Sequence, residues 1–321
     1  MPFQVLLFYK YVTIEDPHAF ADTLRARATT SGLKGRILIA EEGINATVEG
    51  ALEQTEIFMQ ELKEDSRFTD MNFKTSVGDG KTFPKLIIKV RKEIVGTTFP
   101  LAEADPRVQT ATHLPPAKLR EMYEQNEDFE VVDMRHTYAF VSGHFKNSID
   151  PGMRNSRDLK QAIIKLEPYK DKKIVTVCTG GIRCEKMSAY LLSHGFKNVS
   201  QLENGIHGYL EQYPNHDFSG TLYTFDDRVV MDFSDEHEVV GACDHCGTKT
   251  ERYVNCENYE CHLHFLVCET CASQAPVPYC SKACIARAKQ LERKQQARAI
   301  LERTHRQVRR LKRMAIGRYR G

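Results

Sequence analysis

Eight of the ten cysteines in this 321-residue chain fall between Cys243 and Cys284, and this cluster constrains the fold of the C-terminal part more than any other feature. Because this segment is short, it buries too little apolar surface to fold without help. The thiols therefore predict a fold organised around metal ions. Two tetrahedral zinc sites of four thiolates each use all eight, and closed coordination makes both ions structural. The predicted ligands are Cys243, Cys246, Cys256, Cys261, Cys268, Cys271, Cys280 and Cys284.

The pairing of these ligands has two solutions. An interleaved arrangement gives one ion Cys243, Cys246, Cys268 and Cys271, and gives the other ion the remaining four cysteines. A consecutive arrangement gives the first four cysteines to one ion and the last four to the other. The ending VPYCSKACIARA resembles the close of an interleaved zinc finger, which favours the first solution.

The charge of the chain is unevenly distributed, although the net charge is only +2. Residues 285–321 contain 13 Lys and Arg against two Glu, so this tail carries +11 and the other 284 residues carry −9. A basic tail on an acidic body predicts a polyanionic partner, most simply RNA, although a solvated charged helix has the same composition. The predicted RNA contacts are Arg309, Arg310 and Arg313 in the tail and Lys85, Lys89 and Arg91 on a strand.

The three cations on the strand alternate with Leu86, Ile88 and Val90, so they share one face of it. A solvated sheet face has the same pattern, and that alternative stays open. The sequence has no run of 18 apolar residues, and no cleavage site follows the N-terminal strand pattern. Together with the clustered cysteines, these features predict a cytoplasmic protein with no membrane partner.

Four segments are predicted from the patterning. Residues 1–100 have a β-α-β-β-α-β order, typical of a ferredoxin-like split βαβ domain, with a helix starting at Asp16-Pro17. Residues 115–213 alternate strands and helices, which predicts a parallel sheet covered on both faces. Residues 214–284 form a linker and the cysteine-rich segment, and residues 285–321 form a basic helical tail. The turn Glu42-Gly43-Ile44-Asn45 is interpreted as a hairpin connection rather than a binding loop.

The segment IVTVCTGGIRCEKMSAYLLSHG predicts a buried strand, a short loop that Cys178 opens, and a helix. Backbone N–H groups and the helix dipole favour an anion at that position, so we expect a lowered thiol pKa. Gly180 and Gly181 let the loop curl around the sulfur, and Arg183 adds a positive charge that stabilises a thiolate or a persulfide. A buried structural cysteine is the alternative, but it does not explain the glycines and the arginine.

The length of the loop argues against phosphatase chemistry. A cysteine phosphatase needs Cys-x5-Arg, and here Arg183 comes one residue too early because Cys184 occupies the required position. Cys184 has two interpretations that the sequence leaves open. It is either a residue that resolves a persulfide or sulfenate intermediate, or a small buried residue at the start of the helix.

The segments VVDMRHTYAFVSGHFKNSIDP and QLENGIHGYLEQYP, together with CTGGIRCEK, resemble a rhodanese domain. Asp133, Arg135, Gly143 and His144 occupy matching positions, whereas Ala139 stands where that family commonly has a glutamate supporting the arginine. We expect Asp133 and Arg135 to form a structural ion pair that supports the loop. His144 is interpreted as a core histidine.

The whole arrangement resembles the bacterial rhodanese-domain tRNA uridine hydroxylase family. The resemblance implies formation of 5-hydroxyuridine at the wobble position of tRNA, with molecular oxygen as co-substrate. It also implies that Cys178 is the catalytic cysteine, acting through a persulfide, that Arg183 steadies this anion, and that a protein or small molecule donates the sulfur. The sequence contains no Gly-rich flavin or nicotinamide motif and no 2-His-1-carboxylate iron motif.

Two other functions fit parts of the sequence. The Cys178 loop alone fits a sulfurtransferase that moves sulfur from thiosulfate or a persulfide donor. The cysteine cluster and the basic tail alone fit a non-catalytic, zinc-stabilised RNA-binding protein with an inert loop.

Overall fold

The computed structural model describes residues 2–234, 236–274 and 279–317, and describes the backbone only at 299 and 306–317. The chain forms two compact units, Met1–Gly241 and Ala242–Gly321. The mixed α/β class is as predicted, with an N-terminal domain and a parallel-sheet domain in the first unit and the cysteine clusters in the second. Residues 214–241, assigned to the linker above, belong to the first unit.

The N-terminal domain is a five-stranded sheet with two helices on one face. Its strands lie in the order β4-β1-β3-β2-β5, with only β2 and β5 parallel. The first four strands have the split βαβ arrangement, and β5 adds a fifth strand at the edge. The elements are β1 (Phe3–Tyr11), α1 (Pro17–Thr30), β2 (Lys34–Ala40), β3 (Gly43–Ala51), α2 (Leu52–Lys63), β4 (Phe73–Gly78) and β5 (Leu86–Val90).

Local sequence signals explain the boundaries of this domain. Asp16 caps α1 by accepting hydrogen bonds from the backbone N–H groups of His18 and Ala19, at 3.0 and 2.9 Å. One face of the sheet, including Phe8 and Ile37, packs against α1 and α2 in a closed core. The side chains that alternate with these lie on the opposite face, which no helix of the N-terminal domain covers.

The second domain, of the same compact unit, is built on a four-stranded parallel sheet in the order β6-β10-β9-β7. Two small antiparallel pairs, β8 with β11 and β12 with β13, complete it. Its strands are β6 (Thr112–Leu114), β7 (Glu130–Asp133), β8 (Gly143–Phe145), β9 (Lys173–Val177), β10 (Asn198–Leu202), β11 (Phe218–Gly220), β12 (Leu222–Tyr223) and β13 (Val230–Met231). Its helices are α3 (Pro116–Glu124), α4 (Thr137–Phe140), α5 (Leu159–Leu166), α6 (Ile182–Ser193) and α7 (Gly205–Gln212).

Successive strand residues in this sheet point into two different cores. Ile174 packs in the core that contains α5 and α6, whereas Val175 packs in the core that contains α3 and α7. Both faces of the sheet are therefore covered, as the alternation of elements predicts. In such a sheet, ligands bind beyond the carboxyl ends of the strands, where β9 ends next to Cys178.

A buried ion cluster joins the two domains. Lys186, on α6, donates hydrogen bonds to both carboxylate oxygens of Glu42, at 3.0 and 2.8 Å, and to Glu93 at 2.9 Å. The backbone N–H of Ile94 also bonds Glu42, at 2.8 Å. Glu42 follows β2 in the hairpin turn, so this turn has an interdomain role in addition to its role as a connection. The cluster fixes the N-terminal sheet over the start of α6.

The second unit contains a β-hairpin and two helices. Strand β14 (Tyr253–Asn255) pairs antiparallel with β15 (His264–Leu266), and helices α8 (Glu269–Gln274) and α9 (Lys282–Gly317) follow. Its small core consists largely of cysteine side chains around Phe265 and Val267. None of the helices in the described residues combines the length and apolar character needed to cross a membrane.

The substitution Lys186→Met leaves the buried Glu42 and the half-buried Glu93 without their cation. We expect it to lower the free energy of unfolding of the first unit by about 3–5 kcal/mol, as for other broken buried ion pairs. Urea denaturation followed by circular dichroism measures this. The matched control is Lys197→Met, which breaks an exposed pair with Asp171 and should leave the midpoint unchanged. Equal effects of the two substitutions would contradict the role of the buried cluster.

Candidate active site and metal clusters

Cys178 lies immediately after β9, in a loop that leads into α6. The backbone N–H of Gly181 donates to its sulfur at 3.2 Å, and the sulfur faces the first turn of the helix. The side chain is 0% exposed, so the loop encloses the sulfur rather than presenting it to solvent. This enclosure was not expected from the sequence.

The enclosed sulfur is nevertheless stabilised as an anion. Burial alone would raise the pKa of Cys178, but a hydrogen bond from Cys184, the positive charge of Arg183 and backbone N–H groups of the helix start outweigh it. The pKa of Cys178 is therefore lowered to about 5. Burial and the neighbouring thiolate raise the pKa of Cys184 well above its usual value, so Cys184 keeps its proton and donates it.

Arg183 holds one side of the loop. Its Nη2 donates to the hydroxyl of Thr179 at 2.9 Å, and its guanidinium lies 5.2 Å from the ring centroid of Phe225. Its Nη1 is buried and has no hydrogen-bond partner among the described residues. An unpartnered buried donor is costly unless a ligand satisfies it, so Arg183 has the chemistry of an anion-binding group.

The two glycines of the loop meet strand β1 of the N-terminal sheet. A Cβ at Gly180 would lie 2.5 Å from Cδ2 of Leu7, so a larger residue there would displace this side chain. Gly181 has a φ of +102°, and a Cβ there would lie 2.6 Å from the hydroxyl of Tyr9. The sequence assigned both glycines to loop curvature; the positive φ fits this role for Gly181, whereas Gly180 also lies against the N-terminal domain.

A cavity of about 360 Å³ lies between the open face of the N-terminal sheet and the Cys178 loop. Thr179, Gly180 and Arg183 line it from the loop. Strands β1 to β4 line it with apolar side chains such as Leu7 and Leu38, together with polar and cationic ones. Its size and mixed lining are typical of sites for small organic groups.

Several cavity residues were missed by the sequence analysis. Lys74, on β4, is 7% exposed, and burial lowers its pKa to about 8. Burial lowers the pKa of His136 to about 3, and the charge of Arg183 acts in the same direction. Burial and the charges of Lys74 and Arg228 lower the pKa of His207 to about 4. Nothing in the local sequence marks these residues, because their burial depends on tertiary packing.

The predicted supporting residues lie beneath the loop. Asp133 accepts two hydrogen bonds from Nε of Arg135, at 3.0 Å each, and one from Nη2 at 2.6 Å. Nη2 also donates to the carbonyl of Gly143 at 2.6 Å. Nη1 of Arg135 is buried without a hydrogen-bond partner among the described residues, and the nearby Ala139 side chain has no group to accept from it. His144 stacks on Phe140 and bonds its carbonyl.

The predicted RNA contacts lie outside the cavity. Lys85, Lys89 and Arg91 are exposed, and the β2–β5 register pairs Lys89 with the cavity residue Leu38. The three cations therefore extend the open face of the sheet beyond the cavity. The side chains of Arg309, Arg310 and Arg313 lie outside the described residues.

The eight clustered cysteines form two groups, and in each group the four sulfur atoms lie within 4.8 Å of one another. The first group is Cys243, Cys246, Cys268 and Cys271; the second is Cys256, Cys261, Cys280 and Cys284. This is the interleaved arrangement. All ten cysteines are free, and two sulfur pairs lie 3.6 and 3.7 Å apart. Tetrahedral zinc with bonds of about 2.3 Å places its sulfurs about 3.8 Å apart, so zinc fits both groups.

Three family models match the chain. The model described as UPF0176 acylphosphatase like domain covers residues 3–94, the rhodanese-like domain model covers residues 115–212, and the rhodanase C-terminal model covers residues 219–285. The first two coincide with the N-terminal sheet domain and the parallel-sheet domain of the structure.

Curated relatives match most of the chain. A protein from Cytophaga hutchinsonii named tRNA uridine(34) hydroxylase is 40% identical over 88% of this chain and 89% of its own length. Proteins of the same name from Enterococcus faecalis and Staphylococcus carnosus are each 42% identical over 84% of this chain and 86% of their own lengths.

The ultraviolet absorbance of the Cys178 thiolate should titrate with a midpoint near pH 5, well below the value of about 8.5 for a free cysteine. The measurement is the absorbance of the wild-type protein minus that of Cys178→Ser, because this difference removes the contribution of the other cysteines. In Cys184→Ala the midpoint should rise, because the hydrogen bond to the thiolate is lost. A wild-type midpoint at the free-cysteine value would refute the stabilised thiolate.

Elemental analysis should find two zinc ions in each chain. Cys246→Ser and Cys261→Ser should each lose one ion, and the double variant should lose both, because the two residues belong to different groups. Consecutive pairing would instead place both residues on one ion, and the double variant would keep the other. His245→Ala, which removes a hydrogen bond to Tyr279, is the control and should keep two ions.

Proposed function

The chain belongs to the tRNA uridine(34) hydroxylase family, and from this premise we propose that it converts uridine 34, the wobble nucleotide of tRNA, to 5-hydroxyuridine. The catalytic group in this proposal is the sulfur of Cys178, with Arg183 as its electrostatic partner. The observation that carries the proposal is a stabilised thiolate directly beneath a cavity of about 360 Å³. A nucleobase that is turned out of a single-stranded loop fits a cavity of this kind.

The enclosure of Cys178 supports a persulfide as the reacting form. A second sulfur, bonded at about 2.05 Å, extends the reactive atom from the enclosed position toward the cavity. The amides and Arg183 that stabilise the thiolate also stabilise the terminal anion of a persulfide. The sulfur is supplied by a donor protein or a small molecule.

Dioxygen is the oxidant in this proposal. Hydroxylation replaces the hydrogen on C5 of uracil with a hydroxyl group and removes two electrons from the base. One oxygen atom of dioxygen enters the product, and the other leaves as water. The additional two electrons and two protons come from a thiol-class reductant, so the overall reaction is that of an oxidoreductase.

The open sheet face supports the choice of tRNA as substrate. Arg36 lines the cavity, and Lys85, Lys89 and Arg91 continue a cationic surface along the same sheet. Such a surface neutralises phosphates on the strand that carries the target base. The basic tail supplies further positive charge, and a tRNA substrate places the reaction in the cytoplasm. The two zinc ions have a structural role.

A sulfurtransferase is the second candidate function. The unpartnered Nη1 of Arg183, next to an anionic sulfur, favours a small anionic sulfur donor such as thiosulfate. Release of sulfite or transfer to cyanide at rates independent of tRNA would support this function over hydroxylation.

Complementation of a deletion strain with Cys178→Ser should leave no 5-hydroxyuridine in tRNA, because a serine hydroxyl neither ionises near neutral pH nor carries sulfur. Nucleoside mass spectrometry measures the product. Cys184→Ser should reduce the product without abolishing it, since it weakens stabilisation of the thiolate only. Wild-type levels with Cys178→Ser would refute a catalytic role for Cys178.

Lys89→Met should weaken tRNA binding and lower the slope of log affinity against log salt by about 1, because one phosphate contact is lost. Filter binding at several salt concentrations measures this. Lys63→Met is the matched control, since Lys63 is on α2, which covers the opposite face of the same sheet. Equal slopes for Lys89→Met and the wild type would exclude Lys89 from the RNA surface.

A further inference from the structure

Lys74 is a buried cation without an anionic partner. It is 7% exposed, and within the part of the chain that the structure describes its Nζ has no hydrogen bond or ion pair. Its Nζ lies over the ring of Tyr9, 5.2 Å from the centroid. A buried, unpaired ammonium group is costly, so a ligand that brings negative charge would relieve this cost.

The position of Lys74 points to a ligand in the cavity. It lies on β4, and the β1–β4 register pairs it with Leu7, the residue that contacts Gly180 of the Cys178 loop. Both Lys74 and Gly180 line the cavity. The ammonium group and the Cys178 loop therefore face the same cavity from two sides.

The charges around Lys74 come from several elements. The groups that act on it are Cys178 in the loop, Glu185 on α6, Glu203 before α7 and Glu211 on α7, all of which favour its charged form. His207, on α7, is also affected by the charge of Lys74 and is held neutral. These acids act at a distance and do not pair with Nζ. Burial lowers the pKa of Lys74 to about 8, so the group still carries its proton at neutral pH.

The chemistry of uracil supplies a matching charge. C5 of uracil becomes electron-rich, and therefore open to an oxidant, when a nucleophile adds to C6. The electron pair of the C5–C6 double bond then moves into the C5–C4–O4 system, and negative charge develops on O4. A positioned cation or proton donor at O4 stabilises this state.

We propose that Lys74 is a catalytic residue that contacts O4 of the target uracil and neutralises the charge formed when the terminal sulfur of a Cys178 persulfide adds to C6. In this step a bond forms between sulfur and C6, and the π bond between C5 and C6 breaks. The Lys74 ammonium donates its proton to O4, so an anionic sulfur and a cationic amine become a neutral adduct and a neutral amine. The proposal rests on the proposed function and adds the group that activates the base.

The depth of Lys74 favours the base over a phosphate as its ligand. A phosphate contact is expected at the exposed edge of the cavity, where Arg36 lies. Lys74 is enclosed, and its amine lies against an aromatic face. The base, rather than the backbone, is the part of the nucleotide that reaches this depth.

The experiment uses protein that carries a persulfide at Cys178 and an anticodon stem-loop with 5-fluorouridine at position 34, because fluorine withdraws electrons and makes C6 more open to addition of sulfur. Mass spectrometry of the full-length protein follows adduct formation at Cys178 without oxygen, so the assay is independent of hydroxylation. Lys74→Met should slow adduct formation on the order of 100-fold with little change in the concentration dependence. Lys74→Arg should restore part of the rate of adduct formation. In this variant the rate should fall only at a higher pH than in the wild type, because guanidinium keeps its proton.

Lys63→Met is the control and should match the wild type, since Lys63 also contacts an aromatic ring, Phe73, but lies on α2. An adduct that forms at the wild-type rate in Lys74→Met overturns the proposal. The proposal is also overturned if Lys74→Met leaves the maximal rate of adduct formation unchanged but alters its dependence on RNA concentration and on salt, because Lys74 would then bind phosphate. If Lys74→Met and Lys74→Arg slow adduct formation equally and both lower the melting temperature of the protein, Lys74 has a structural role and the proposal is wrong. Failure of the proposed function itself appears separately, as wild-type protein that yields no 5-hydroxyuridine with oxygen.

Discussion

The contact of Lys186 with Glu42 and Glu93 ties the N-terminal sheet to the helix that follows the Cys178 loop. The cavity of about 360 Å³ lies between these two parts, so its shape depends on how the two domains are held together. A second set of contacts reinforces the arrangement, because Glu185 accepts hydrogen bonds from Tyr9 and Gln201 at 3.3 and 3.0 Å and bonds His113 at 2.9 Å. Adjacent residues of one helix therefore fix both the neighbouring domain and the sheet beneath it.

The reactive sulfur is stabilised by a balance of opposing effects. Burial disfavours its charge, whereas a neighbouring thiol, an arginine and the helix start favour it, and the favourable effects are larger. The charge of Arg183 lowers the pKa of Cys178, and one of its nitrogens is bonded to Thr179 while another has no partner among the described residues. The same residue type at a less enclosed position would be screened by water and would have a weaker effect.

The sequence predicted the parts that depend on local chemistry, and it missed the parts that depend on how the domains pack. The strand, loop and helix around Cys178 and the split βαβ order follow from periodicity and from capping residues such as Asp16. The burial of Lys74, His136 and His207 comes from tertiary packing, and no spacing along the chain encodes it. Glu42 shows the difference clearly, because its turn was identified correctly while its ion pair with a residue 144 positions away was not.

Ala139 is an intermediate case. The absence of the family's glutamate at this position indicated weaker support for Arg135, and in the structure Nη1 of Arg135 has no hydrogen-bond partner among the described residues.

The approach of Leu7 to Gly180 also limits the size of what can reach the Cys178 loop. The loop and the N-terminal sheet line one cavity of about 360 Å³, which accommodates a small molecule or a single nucleobase but not a folded protein. With the sheet in this position, a sulfur donor that reaches Cys178 under the proposed function is a small molecule.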